Sequence, residues 1–298
     1  MKGGREFEVD LLAGASAGAV GKLATHPIDT CKSLVQSGNN AATSAVQAFR
    51  STWARGGLAG LYRGIGAVLV GGTPAAMIYL TSYEVTKKYM AENTPFPGPA
   101  IHLTGGMLAE AISCVVFVPV DVIKERMQVF QPHEAAVGDA RSSMVYKSSL
   151  HSLTSIVRSE GLMGIYKGYG ATLLSFGPYS ALYFMGYEYI RAQVAERVNK
   201  SVEDLAFGEV LACSAAAGSV ASYVTTPLDL VKLRMQLIGG AGGLRPKMVA
   251  MLRDIYASEG AAGLFRGSMA RVGAFTPTVA ISMAVFESCK KIWSNVLG

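Results

Sequence analysis

An all-α membrane protein built from three tandem repeats is what this sequence predicts. Three observations carry that prediction: an apolar, glycine-rich composition, a set of motifs that recurs three times in one order, and charges at helical spacing inside apolar stretches. Half of the 298 residues are hydrophobic, mean hydropathy is +0.31 and only 16% are charged, where a soluble domain carries about 25%. The 34 glycines suit a membrane bundle, in which small residues let helices approach closely. The spacings Gly14-x-x-x-Gly18 and Ser214-x-x-x-Gly218 are of that kind. No segment is an unbroken apolar run of about 20 residues, because the apolar stretches meet Pro, Asp, Lys or Arg near their ends. A charge at membrane depth is costly and usually faces a bundle interior or a watery cavity.

Composition also excludes. The net charge of +6 comes from dispersed basic residues with no long run, which speaks against nucleic acid and for an anionic lipid or solute. Cys31, Cys114, Cys213 and Cys289 are far apart with no CxxC spacing, so neither zinc nor a disulfide framework is indicated. No Ser-His-Asp set, metal-spaced cluster or nucleotide-binding glycine loop appears, so no enzyme, cofactor or resident metal is expected. The first residues are too acidic for a signal or transit peptide, which leaves targeting to internal signals.

The repeats are explicit. Pro27-Ile-Asp29-Thr-Cys-Lys32 with Gln36 returns as Pro119-Val-Asp121-Val-Ile-Lys124 with Gln128, and as Pro227-Leu-Asp229-Leu-Val-Lys232 with Gln236. Each is followed by a glycine-aromatic turn: Gly60-Leu-Tyr62-Arg63-Gly64, Gly164-Ile-Tyr166-Lys167-Gly168 and Gly263-Leu-Phe265-Arg266-Gly267. Each repeat then closes on an aromatic, an acid and a base: Tyr83-Glu84 with Lys87, Tyr187-Glu188 with Arg191, and Phe286-Glu287 with Lys290.

This three-part signature resembles the mitochondrial carrier family over nearly the whole chain. The resemblance implies six transmembrane helices in three two-helix repeats, each with a short matrix helix, in threefold pseudosymmetry around a central cavity. Repeats 9–97, 98–200 and 201–298 form one carrier domain. Transmembrane helices are expected near 9–36, 65–90, 99–130, 169–196, 205–237 and 269–295, and matrix helices near 45–55, 147–158 and 247–257. The stretch 131–146 reads as a matrix loop. Proline at mid-span breaks the hydrogen-bond ladder, so Pro27, Pro119 and Pro227 are expected to kink three continuous helices inward.

Asp29 and Lys32 lie three apart on one helical face, as do Asp121 with Lys124 and Asp229 with Lys232. Threefold arrangement pairs Asp29 with Lys124, Asp121 with Lys232 and Asp229 with Lys32 into a matrix gate, braced by Gln36, Gln128 and Gln236. At the cytosolic end Glu84 would meet Arg191, Glu188 would meet Lys290, and Glu287 would meet Lys87, with Tyr83 and Tyr187 bracing. By the resemblance, Gly64, Gly168 and Gly267 mark cardiolipin sites, the protein sits in the mitochondrial inner membrane as a multi-pass monomer, and one gate forms while the other opens.

A solute is not threefold symmetric, so its site is sought where the repeats differ. The family's contact positions fall on Gly71 and Gly72, Ser175 and Phe176, and Ala274 and Phe275. Lys22, Cys114 and Ser222 stand five before the three prolines, and Tyr79, Tyr179, Tyr183 and Arg271 lie near the same depth. Glu110 stands where the other repeats have Gly18 and Gly218. Glu110-x-x-Ser113-Cys114 resembles the third helix of S-adenosylmethionine carriers, although the Arg-Glu pair of their fourth helix is absent. The expected solute is a small cofactor such as S-adenosylmethionine or a nucleotide-like molecule. A divalent metal carrier, which would call on donors such as His26 and Met77, and a proton leak are the alternatives.

Overall fold

The computed structural model describes residues 2–38, 42–130, 146–239 and 247–297. For residues 2–15, 99, 276, 283, 286, 287, 290, 291 and 294–297 it describes the backbone alone. The described residues form α1 (Lys2–Gln36), α2 (Ala45–Leu61), α3 (Ile65–Asn93), α4 (Gly98–Val129), α5 (Ser149–Glu160), α6 (Tyr169–Arg197), α7 (Phe207–Val224), α8 (Thr226–Leu237), α9 (Met248–Leu264) and α10 (Ser268–Leu297). The fold is all-α, and α3, the Ala100–Val129 part of α4, and α7 are long and apolar enough to cross a membrane. Val70, Leu174, Met185 and Val220 are large apolar side chains left exposed. The loop expected over 131–146 lies outside the described residues except for Tyr146, which is buried.

Six long elements close into a ring. α3 packs along α4 and α6 along α7, each across a repeat boundary, and α10 returns to α1; α1 with α3, α4 with α6 and α7 with α10 complete the circuit. The short helices α2, α5 and α9 lie against the C-terminal halves of α1 and α4 and against α8, and form three apolar cores, one per repeat. Cys31, Val35, Ala48 and Leu61 build the first; Val122, Ile123 and Ile156 anchor the second; Leu230, Val231 and Ile255 make the third. Ser44 and Ser148 cap α2 and α5 by accepting from Gln47 N–H and His151 N–H, which fixes where each begins.

Two expectations need correction. Pro27 and Pro119 are carried inside continuous helices, but the span expected over 205–237 is broken at Thr225. Pro227 has no N–H to donate, and Leu228 and Asp229 both turn their amides to the Thr225 carbonyl, so α8 starts a new helix there. The small-residue spacings differ at their second glycines, Gly14 itself lying outside the residues whose side chains are described. A Cβ on Gly218 would stand 1.9 Å from the Phe275 ring, so this glycine admits Phe275, whereas a Cβ on Gly18 would meet nothing within 4 Å. α10 approaches α1 closely at Gly21, against Ser282, and Trp293 donates to Ser16 nearer the start of α1.

The repeats are unequal below the cavity. Arg126 is fully buried, grips Glu160 through both terminal nitrogens at 2.6 and 3.0 Å, and donates to the carbonyls of Gln236 and Ile238. Burial alone would raise the Glu160 carboxyl, yet hydrogen bonds from Arg126 and Lys167 hold it below the usual glutamate range. Arg234 grips Glu259 in the same way at 2.5 and 3.1 Å. The first repeat has Leu34 and Gly56 in place of both partners, and there Arg63 crosses to the carbonyls of Met127 and Tyr146. Leu34 is buried against Cys31 and Leu61. Leu34→Arg therefore buries a cation with no acid and should cost about 3 kcal/mol. Adding Gly56→Glu, at a site where a Cβ meets nothing within 4 Å, should recover most of that loss in a thermal melt. No recovery in the double variant would mean the first repeat cannot accept the pair its siblings use.

Candidate functional site

α1, α4 and α8 converge at one end of the bundle, and their repeated charges meet there. Lys32 Nζ stands 2.8 Å from Asp229, Lys232 Nζ 2.8 Å from Asp121, and Lys124 Nζ 3.8 Å from Asp29. Spacing along each helix places acid and base on one face, and the threefold arrangement turns each acid to the next helix. Gln36 donates to Asp229 at 3.4 Å and Gln236 to Asp121 at 2.9 Å. Gln128 donates to Thr30 Oγ1 at 2.9 Å and reaches His26 Nε2 at 3.2 Å. Charges this deep need partners, since removing one leaves the other desolvated and alone, at about 3–5 kcal/mol.

The ring is not symmetric. Lys22 Nζ lies 3.7 Å from Asp29, and Arg271 Nε lies 3.5 Å from Asp229. Lys124 has a nearer acid than Asp29, with Glu125 Oε1 at 3.1 Å. Sequence reasoning passed over Glu125, because a lone acid between two bases of a motif reads as solvated until its burial is seen.

Three glycines press on this ring from outside. Gly64, Gly168 and Gly267 sit at positive φ before α3, α6 and α10, a conformation glycine adopts without strain. A Cβ on Gly64 would stand 3.2 Å from the Lys124 backbone, on Gly168 2.8 Å from Gln236 Cγ, and on Gly267 2.7 Å from Gln36 Cγ. Each turn thus packs against the ring helix of the following repeat, the third against the first.

Above the ring, aromatic side chains line the interior. Tyr179, Tyr183 and Tyr187 stack one turn apart along α6 at 6.2 and 6.0 Å, and Tyr79 stacks on Tyr83 along α3 at 6.3 Å. Phe176 meets Tyr79 edge-on, and Phe275 meets Tyr183 edge-on. Arg271 stands over the Tyr179 ring at 5.6 Å, and also donates to the Ser222 carbonyl and Thr225 Oγ1. It is therefore tied to α6, α7 and α8 rather than free in the cavity as the sequence suggested. Lys22 is different: its side chain is half exposed.

Glu110 is partly buried on α4 and takes the Cys114 thiol at 3.5 Å. Cys114 itself is fully buried in the second apolar core. Its place among solute contacts is withdrawn, and its part is to hold Glu110. Ser175 donates back to the Ala171 carbonyl along its own helix. Gly71, one of the contact positions, admits Val120, whose Cγ2 lies 2.2 Å from where a Cβ would be. His26 is fully buried, stacked on Tyr62 with Nε2 3.0 Å from the Arg63 carbonyl, and Met77 is exposed. Neither is placed as a metal ligand.

At the opposite end the charges stand apart. Glu84 is 3.8 Å from Lys87 on its own helix, Arg191 donates to the Val202 carbonyl, and no ion pair joins Glu84 to Arg191 among the described residues. Glu188 is exposed. Tyr83 Oη is 2.7 Å from His102 Nδ1. The side chains of Glu287 and Lys290 lie outside the described residues, so their pairs with Lys87 and Glu188 do too. One end of the bundle is thus closed by ion pairs between helices, while at the other end the described pairs, Glu84 with Lys87 and Lys200 with Glu209, stay within α3 and within the α6–α7 connection and the start of α7.

Residues 5–94, 97–197 and 203–297 match the family model of the mitochondrial carrier protein. The chain is 31% identical over 269 residues to a mitochondrial S-adenosylmethionine carrier protein of Xenopus laevis, covering 90% of this chain and 91% of that one. It is 33% identical over 279 residues to a mitochondrial coenzyme A transporter of Danio rerio, covering 90% and 81%. It is 32% identical over 286 residues to a probable chloroplastic S-adenosylmethionine carrier of Arabidopsis thaliana, covering 96% and 74%.

Proposed function

The chain belongs to the mitochondrial carrier family, and from that membership we propose that it moves S-adenosylmethionine, or a close mixed-charge cofactor, across the mitochondrial inner membrane by alternating access. The observation that carries the substrate is Glu110, a partly buried acid beside an aromatic wall and above a basic floor. A sulfonium or ammonium group gains from a carboxylate held out of bulk water, and also from tyrosine faces. A planar base stacks on Tyr79, Phe176, Tyr179 or Tyr183. Lys22 then takes the substrate carboxylate. Relatives named as S-adenosylmethionine carriers support the same reading.

In this reading the ion-paired ring is the matrix gate, closed; Tyr83, Glu84, Lys87, Tyr187, Glu188, Arg191, Glu287 and Lys290 make the cytosolic gate, read as open because its described members form no ion pair between helices. Substrate enters from the cytosolic side, and closing one ring compensates for opening the other. Partly buried ion pairs give little net stability, which suits them to switching. The amides that begin α3, α6 and α10 behind Gly64, Gly168 and Gly267 would hold cardiolipin phosphate, and the carrier would act as a monomer.

A coenzyme A carrier is the second reading, on the strength of the Danio rerio relative. Its phosphates would call for several free cations, and of the two cations described in the cavity Arg271 is already tied to Asp229. The deciding experiment is uptake of labelled S-adenosylmethionine into proteoliposomes, with and without internal substrate. Uptake above empty vesicles is the expected result. No uptake, with coenzyme A transported instead, overturns the substrate; proton flux without solute movement overturns the carrier reading in favour of a leak.

A further inference from the structure

Glu125 fills a motif position that is Ser33 in the first repeat and Leu233 in the third. It is only 7% exposed, its Oε1 takes Lys124 at 3.1 Å, and its Oε2 has no hydrogen-bond partner among the described residues. Lys124 is also the ring lysine whose bridge across repeats is longest, 3.8 Å to Asp29 against 2.8 Å in each of the other two. An acid present in one repeat alone thus competes for one lysine of the three. Attraction between charges falls with separation, and most steeply where water is excluded, so the seam between α1 and α4 is the weakest side of the ring. A buried carboxylate oxygen without a donor is a cost, and it accompanies the competition for Lys124 that marks this seam.

We propose that Glu125 is a positioning residue of the ring: it holds Lys124 off Asp29 and makes the seam between the first and second repeats the first to part. This rests on reading the ring as a gate. The same seam faces the solute. Lys22, half exposed, is the second cation on Asp29 at 3.7 Å. An anionic group that draws Lys22 into the cavity leaves Asp29 with Lys124, at 3.8 Å, as its one remaining ion-pair partner among the described residues. Occupancy of the cavity thereby loosens the side of the ring that Glu125 has already weakened. The competing view is that Glu125 simply neutralises a lysine and stabilises the fold. The two views predict opposite signs.

The test uses the full-length carrier, as purified protein and in proteoliposomes. Glu125→Gln and Glu125→Leu, the second copying the third repeat, release Lys124 to Asp29. The expected result is a thermal midpoint above wild type and a maximal uptake rate several-fold lower, with little change in KM. In an Asp29→Asn background the same changes should lower the midpoint, since Lys124 then has no acid to close on. A midpoint that falls in both single variants, or an uptake rate that stays at wild type, overturns the proposal. Asp121→Asn separates the levels: if it leaves uptake at wild type, the ring is not a gate and the parent reading fails. If it slows uptake while both Glu125 variants behave as wild type, only the role of Glu125 is lost.

Discussion

Exchanging the charges of Asp121 and Lys232 together should restore uptake that either single exchange abolishes. Asp121→Lys alone sets two cations where an ion pair stood at 2.8 Å, buried and braced by Gln236. Lys232→Asp does the same with two acids. Breaking such a pair costs about 3–5 kcal/mol, so each single variant should lose ~100-fold or more in rate or fail to survive purification. The double variant rebuilds the contact in reverse and should regain at least about tenfold over the worse single, the non-additivity expected of residues in direct contact. Uptake in proteoliposomes, with a melt of each variant, measures this. If the double is no better than the worse single, these two residues do not act as a pair. The same exchange at Asp29 and Lys124 should give a smaller rescue, because Lys22 and Glu125 hold shares in that pair.

Glu110→Gln should separate the two substrate readings with the next largest effect. If the solute carries a sulfonium or ammonium, removing this partly buried charge should lower uptake about 100-fold, within the 2–5 kcal/mol that losing one member of a buried charge pair costs. Lys22→Ala should cost about tenfold, since its side chain is half exposed and screened. Glutamine keeps the shape that Cys114 holds, so the thermal midpoint should move little. The opposite order, with uptake spared in Glu110→Gln and lost in Lys22→Ala, would assign an anionic solute and bring the coenzyme A reading forward.

The organisation of the chain was legible because it is written three times. A motif that recurs in order fixes the number of repeats, and acids and lysines three apart on a helix fix which faces converge. The contents of the cavity were harder to read. In a bundle both the lipid face and the core face are apolar, so periodicity does not separate them, and Cys114 looked as available as Lys22. Arg271 looked free because its partners, the Ser222 carbonyl and Asp229, are remote in sequence. The break at Thr225 was hidden for another reason. All three repeats carry the same proline, and only the local carbonyl geometry decides whether a helix bends through it or restarts.

The reach of the ring contacts has a consequence for biosynthesis. Gln36 finds Asp229 across 193 positions of chain, and Lys32 pairs with that same aspartate. When the first repeat leaves the ribosome, its lysine and glutamine therefore have no third-repeat partner, and remain without one until nearly the whole protein has been made. Unpaired charge is costly in hydrocarbon, so the early helices cannot settle one at a time into lipid with their ring residues buried. They must keep those residues wet, or be escorted, until α8 arrives. Insertion is then cooperative at its last step, and a chain truncated before α8 is expected to fail as a whole rather than yield two sound repeats.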